Sequence, residues 1–215
     1  MAKDILVIGL GTFGYALAVK LYDNGNEVMA VDKDEHLVNQ IKDNVTIALT
    51  ADVTDSEVLE RIDASKFDYI VLGTSSSLET AVLTLTHLQK LKAKNIIAKA
   101  NTHLQKEVML KLGADEVILA ENAMAQRLAN RITHPNIKEI FNLEANISMV
   151  NVKVPNYMAG KTLKELDLRN KHNISVFMRK VGEVSEIISN PNIKFNEGDE
   201  LFVAGEEEDI FKIFG

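Results

Sequence analysis

The ten residues Ile5-Leu6-Val7-Ile8-Gly9-Leu10-Gly11-Thr12-Phe13-Gly14 decide how the rest of the chain is read. A short run of apolar residues gives a buried strand, and apolar positions spaced by three and four over 13–22 give a helix. Between them stands a GxGxxG turn. The hexamer alone is weak evidence, but strand, turn and helix in immediate succession are the context a dinucleotide fold requires. The first glycine permits the tight turn, the second lets a pyrophosphate approach the backbone, and the third lets helix and strand pack closely. The helix N-terminus then offers N–H groups and partial positive charge to an anion.

Working outward, strands are expected at 5–8, 27–31, 45–49, 69–72, 96–99 and 116–119, with helices at 13–22, 35–42, 55–62, 78–91 and 104–112. Alternation of this kind predicts an α/β fold, a Rossmann-type doubly wound parallel sheet with right-handed crossovers. Ligands of such sheets bind at the carboxyl ends of the strands. Asp32 ends the second strand 18 residues after Gly14, where a carboxylate accepts both hydroxyls of an adenosine ribose. It would repel a 2′-phosphate, a repulsion that Lys33 beside it offsets in part. The diol is common to ATP, ADP and NAD(H), so Asp32 does not separate them. Asp52 and Val53 after the third strand are candidates for the adenine edge. Gly73 and Thr74 after the fourth strand, and Lys99 at the end of the fifth, would line the remainder. Glu121 would cap a helix starting near Asn122 or hold a cation.

The texture changes after Arg131. All three prolines lie beyond it, and strands expected at 147–154, 175–180, 184–188 and 201–204 are joined by turn chemistry at Val181-Gly182 and around Gly198. Thr162 with Glu165 makes a capping box, and a helix is expected at 206–214 with acids in its first turn. The expected organisation is a nucleotide-binding domain over 1–133, a crossover linker over 134–142 and a small α+β domain over 143–215.

Composition removes other classes. With 46% hydrophobic and 26% charged residues the chain is an ordinary globular one, and no apolar run approaches the ~20 residues of a membrane span. The absence of Cys excludes disulfides, thiolate metal sites and cysteine nucleophiles, and fits a reducing cytoplasm. A net charge of -7, with acids in excess on both sides of Asn142, argues against nucleic acid. The five histidines show no triad or metal spacing, and neither HExxH, GxSxG nor a Walker lysine occurs. A nucleotide site with no catalytic group points to a binding module. The alternative is an NAD-dependent oxidoreductase with an unrecognised substrate site.

GLGTFG with Asp32, then TADVTD, IVLGTSS, IIAKAN, LGADEVILAE and MAGKTLKELDLRNKHNISV, together resemble the regulatory subunits of Trk/Ktr potassium uptake systems, the TrkA/KtrA family of RCK proteins. The resemblance spans the chain. It implies a Rossmann-type RCK N-terminal domain followed by a TrkA-C domain. It further implies a cytoplasmic homo-oligomer, a dimer-built octameric ring, docked on an integral-membrane potassium-translocating subunit. Such a ring gates transport according to bound ATP, ADP or NAD(H). Carried over by position, Gly9, Gly11, Thr12, Phe13 and Gly14 hold phosphates, Asp32 and Lys33 the ribose, and Asp52 and Val53 the adenine. Gly73, Thr74 and Lys99 line the rest, and Glu121 is the candidate for a divalent cation. Family members of this type can also bind cyclic di-AMP in the second domain, at positions matching Leu163, Leu168, Arg169, Asn170, His172, Ile174 and Pro191. One departure stands out: several ATP-responsive relatives carry Arg where this chain has Thr12, which weakens the expected discrimination of ATP from ADP.

Overall fold

The computed structural model describes residues 2–73, 77–144 and 146–215. The chain divides into two compact units, Met1–Asn122 and Ala123–Gly215. In the first, strands β1 (Asp4–Ile8), β2 (Glu27–Asp32), β3 (Ile47–Thr50), β4 (Tyr69–Leu72), β5 (Ile96–Lys99) and β6 (Glu116–Ile118) form one sheet in the order β3-β2-β1-β4-β5-β6. Every pairing is parallel. Helices α1 (Thr12–Asp23), α2 (Glu35–Ile41), α3 (Ser56–Arg61), α4 (Leu78–Lys90) and α5 (His103–Lys111) connect the strands.

A parallel sheet is stable only when both faces are covered, so its central strands must be apolar throughout. Leu6, Val7 and Ile8 of β1 and Ile70 and Leu72 of β4 are accordingly buried. Leu6 and Ile8 belong to one cluster with Leu59, Leu85, Leu88 and Met109, while Ile5 and Val7 belong to another with Ala18, Val38 and Ile41. Alternate residues of one strand thus feed two cores. The order reverses between β1 and β4, and the crevice at that switch point is where the glycine turn emerges. Helix starts are set by local chemistry: Asp34, Asp55, Ser77 and Thr102 each accept a hydrogen bond from a first-turn amide.

The second unit holds strands β7 (Ile137–Glu144), β8 (Ile147–Lys153), β9 (Ser175–Val181), β10 (Val184–Ile187) and β11 (Glu200–Glu206) in an antiparallel sheet of order β10-β9-β11-β8-β7. Its helices are α7 (Leu163–Leu166), α8 (Leu168–His172) and α9 (Glu207–Phe214). Val150, Val152, Leu201 and Val203 meet Phe195, Ile210 and Phe214 in its core. The capping box at α7 forms, with Thr162 and Glu165 bonded reciprocally.

One sequence expectation is corrected here. Residues 134–142, expected as a crossover linker, contribute most of β7, which pairs with β8 through Ile137, Glu139, Ile140 and Phe141. Helix α6 (Ala120–Thr133) crosses the boundary between the units, so the division falls near residue 122 and not at 133. The strand was hidden because β7 is an edge strand with two register shifts and mostly exposed side chains, which blurs a period-2 pattern.

Candidate functional site

The three glycines of the turn serve three physical purposes. Gly9 has φ 89°, a left-handed conformation open to glycine at no steric cost. Gly14 lies against the turn itself, since a Cβ there would stand 1.8 Å from the Gly9 carbonyl oxygen. Gly73, at the end of β4, joins the same contact: its Cβ would meet the Gly9 oxygen at 2.9 Å and the Gly14 Cα at 3.1 Å. Gly11 is different. It adopts ordinary φ -62° and a Cβ on it would meet nothing within 4 Å, so no protein contact requires glycine there. Gly11 is the N-cap of α1 and no side chain caps that helix, which leaves its first-turn amides open to an anion.

Asp32 stands beside the turn. Its Oδ2 accepts from the Leu10 amide at 2.6 Å and its Oδ1 from the Asp34 amide at 2.9 Å. A cleft of about 310 Å³ opens from Gly9 past Asp32 and Lys33 to Asp52 and Val53. Asp52 is fixed by Thr54, whose hydroxyl and amide both donate to it, at 2.7 and 3.0 Å. Those bonds hold its carboxyl below the ordinary range, so it is an acceptor.

Five of the expected residues, Gly9, Asp32, Lys33, Asp52 and Val53, therefore wall one cleft. Gly11 is the N-cap of α1 and Thr12, Phe13 and Gly14 form its first turn; these four are not among the residues that line the cleft. Thr74 lies outside the described residues. The opposite wall was missed from sequence: Glu79, Thr80 and Leu83 of α4 complete the cleft. Leu83 contributes an apolar side chain to that lining and is 40% exposed. Asp32, Asp52 and Glu79 outnumber Lys33, so this end of the cleft is acidic and disfavours a 2′-phosphate.

Lys99 does not wall that cleft. Its ammonium forms an ion pair with Glu121 and lies 5.8 Å from the centroid of the Phe13 ring. Glu121 sits inside the first turn of α6, where the macrodipole favours an acid, and is neither an N-cap nor part of a metal cluster. Among the described residues no group of three or more His, Asp or Glu is arranged to hold a metal ion. The hydrogen bond from Lys99, with one from its own amide, holds the Glu121 carboxyl below its ordinary range.

In the second unit, Leu163, Leu168, Arg169, Ile174 and Pro191 line a cavity of about 260 Å³ together with Ile188. Asn170 and His172 are not among its walls; the Asn170 amide donates to Asp167 at 2.6 Å. Arg169 forms no ion pair with Asp167 among the described residues.

Comparison with known proteins fixes the class. The model of the TrkA-N domain matches residues 5–120 and that of the TrkA-C domain matches 147–215. The chain belongs to the TrkA/KtrA family, with an RCK architecture. Among curated relatives, Ktr system potassium uptake protein C of Bacillus subtilis (strain 168) is 33% identical over 98% of this chain and 95% of its own. Ktr system potassium uptake protein A of Vibrio alginolyticus is 29% identical over 97% and 94%. Among solved structures, the GsuK RCK domain superposes with a TM-score of 0.65 at 16% identity, over all of this chain and 48% of that one. The GsuK channel bound to NAD gives 0.68 at 17%, over 97% and 38%. These structures attest to the fold, and this chain spans less than half of theirs. No helix among the described residues is long and apolar enough to cross a membrane.

Proposed function

We propose that the chain is the nucleotide-sensing regulatory subunit of a Trk/Ktr-type potassium uptake system. The observation that carries this reading is Gly11, a glycine for which the protein has no steric need, at an uncapped helix start beside the acceptor Asp32. Alignment over nearly the full length with Ktr potassium uptake proteins supports the same reading. The ligand is an adenine nucleotide, ATP, ADP or NAD(H), with phosphates at the turn and base between Asp52 and α4. Among the described residues that line the cleft, Asp32 and Asp52 are already engaged as hydrogen-bond acceptors and no histidine is present, which supports the reading of the nucleotide as signal and not as substrate. The cavity around Arg169 is the place for cyclic di-AMP.

The protein acts in the cytoplasm on an integral-membrane potassium-translocating subunit, as a homo-oligomer. Helix α6 supports the assembly: none of its residues is buried, and Met124, Leu128 and Ile132, at i, i+4 and i+8, are 62%, 43% and 70% exposed. An apolar stripe of that spacing needs a partner surface. Mass spectrometry of what the purified protein releases on denaturation tests the ligand, and adenine nucleotides are expected. Potassium uptake in cells that carry the membrane subunit, with and without this chain, tests the role. Turnover of NADH with any small-molecule substrate would move the protein to the oxidoreductases.

A further inference from the structure

We infer that the cavity at the amino end of the parallel sheet is a socket for an arginine side chain, carried in by an extended segment of another protein that lies along the free edge of β3. The cavity, about 330 Å³, lies where β1, β2 and β3 begin, at the opposite end of the sheet from the glycine turn, and it stands apart from the nucleotide reading. Met29 of β2, Ile47 of β3, and Ile62 and Phe67 between α3 and β4 give it apolar walls. Ile47 is 49% exposed, an apolar side chain that the fold leaves half uncovered. Asp4 and Glu27, the first residues of β1 and β2, belong to the same lining and are partners in the strand register.

Like charges on paired strand positions repel, and Asp68, which accepts from the Asp4 amide at 3.0 Å, adds a third acid beside them. No cation answers Asp4 or Glu27. Lys66, also in the lining, is ion-paired with Asp63, the Lys3 ammonium lies over the Tyr69 ring, and among the described residues neither Asp4 nor Glu27 forms an ion pair. An apolar cavity with an unpaired carboxylate pair in its lining suits a long aliphatic stem with a cationic head. Arginine serves better than lysine, because its planar guanidinium donates to two carboxylates at once and stacks on an aromatic ring such as Phe67. The carrier is indicated by the sheet edge. β3 is the last strand, with only β2 beside it, so main-chain pairing on its outer side would supply affinity while the socket supplied specificity. A second copy docked face to face would bring its own acidic row to this one, so the segment belongs to a different protein.

The decisive comparison sets an arginine peptide against its citrulline twin, which keeps the shape and loses the charge. Fluorescence anisotropy on the full chain, with a blocked and labelled peptide carrying one arginine between valines, is expected to show the citrulline form binding about tenfold more weakly. Glu27→Gln and Ile47→Thr should each weaken the arginine peptide about fivefold. Glu208→Gln, which removes the same charge in the second unit, should leave it unchanged. N-methylation of the valine amides should abolish binding. In the empty protein Glu27→Gln should raise the melting temperature, because a like-charge neighbour is gone. Binding that both groove variants leave unchanged, or that Glu208→Gln lowers equally, is general attraction to a chain of charge -7 and overturns the socket. It is overturned as well by an arginine peptide that does not bind, by a citrulline or N-methylated form that binds equally, or by a lower melting temperature of Glu27→Gln. A change of oligomeric mass with Ile47→Thr gives the groove to a second copy and overturns the proposal too.

Discussion

The amide of Leu10 donates to Asp32 Oδ2 across 2.6 Å, so the carboxylate that we propose holds a ribose also braces the glycine turn. Asp34 takes one site on the other oxygen. A carboxylate offers about four acceptor sites, which leaves two for a ribose diol. Asp32→Ala should weaken ADP binding by about 1.5 to 3 kcal/mol, the worth of hydrogen bonds to a charged group. It should also lower the melting temperature of the empty protein, because the Leu10 amide loses its acceptor. Calorimetry and thermal denaturation measure the two effects separately, and an unchanged affinity would remove Asp32 from the site.

Gly11 and Gly14 should respond to alanine in opposite ways. Gly14→Ala drives a Cβ to 1.8 Å from a backbone oxygen, and the strand or the helix must move. The cost should reach about 3 kcal/mol or more, read as a fall in the urea midpoint. Gly11→Ala meets open space at an ordinary φ, so stability should stay within about 0.5 kcal/mol while ADP binding falls sharply.

Thr12 has a single hydroxyl to offer and no charge for a terminal phosphate. ATP and ADP should therefore bind within about tenfold of each other, 1.4 kcal/mol. Thr12→Arg should raise the preference for ATP, measured by competition of the two nucleotides at equilibrium.

Acid should loosen the second unit through Glu200. Burial pushes its carboxyl up, but Lys138 and Asn151 outweigh burial and leave it below the ordinary 4.5. A depressed carboxyl contributes stability above its unfolded value and loses it as pH falls through the lower folded one. Glu200→Gln should thus cost about 0.5 to 1 kcal/mol at pH 7 and nothing once both forms are protonated. Urea midpoints at pH 7 and well below 4.5 provide the check; a gap that persists in acid assigns the loss to packing.

The first unit was readable because its strands are buried on both faces: ILVI and YIVL are apolar without interruption, and the helices between them repeat at three and four. The second sheet is exposed in part, so β7, with Ile137 buried and 141–144 exposed, carried too little alternation to be seen. In the cleft, residues at strand ends were found because the chain direction places them there. Glu79, Thr80 and Leu83 were not, since their position depends on how α4 rolls onto the sheet. Lys99 was expected to line the cleft, and its engagement with Glu121 across 22 positions depends on a side-chain path that no spacing encodes.

Gly9, Gly14 and Gly73 meet backbone to backbone, and that crowding bears on how such chains change over time. If the turn holds a nucleotide as proposed, a descendant that lost it would still be held to the three crowded glycines by folding alone. Gly11 would be released from selection and would drift first. On that proposal, the second glycine of the turn is the position whose replacement marks a sensor that has gone blind.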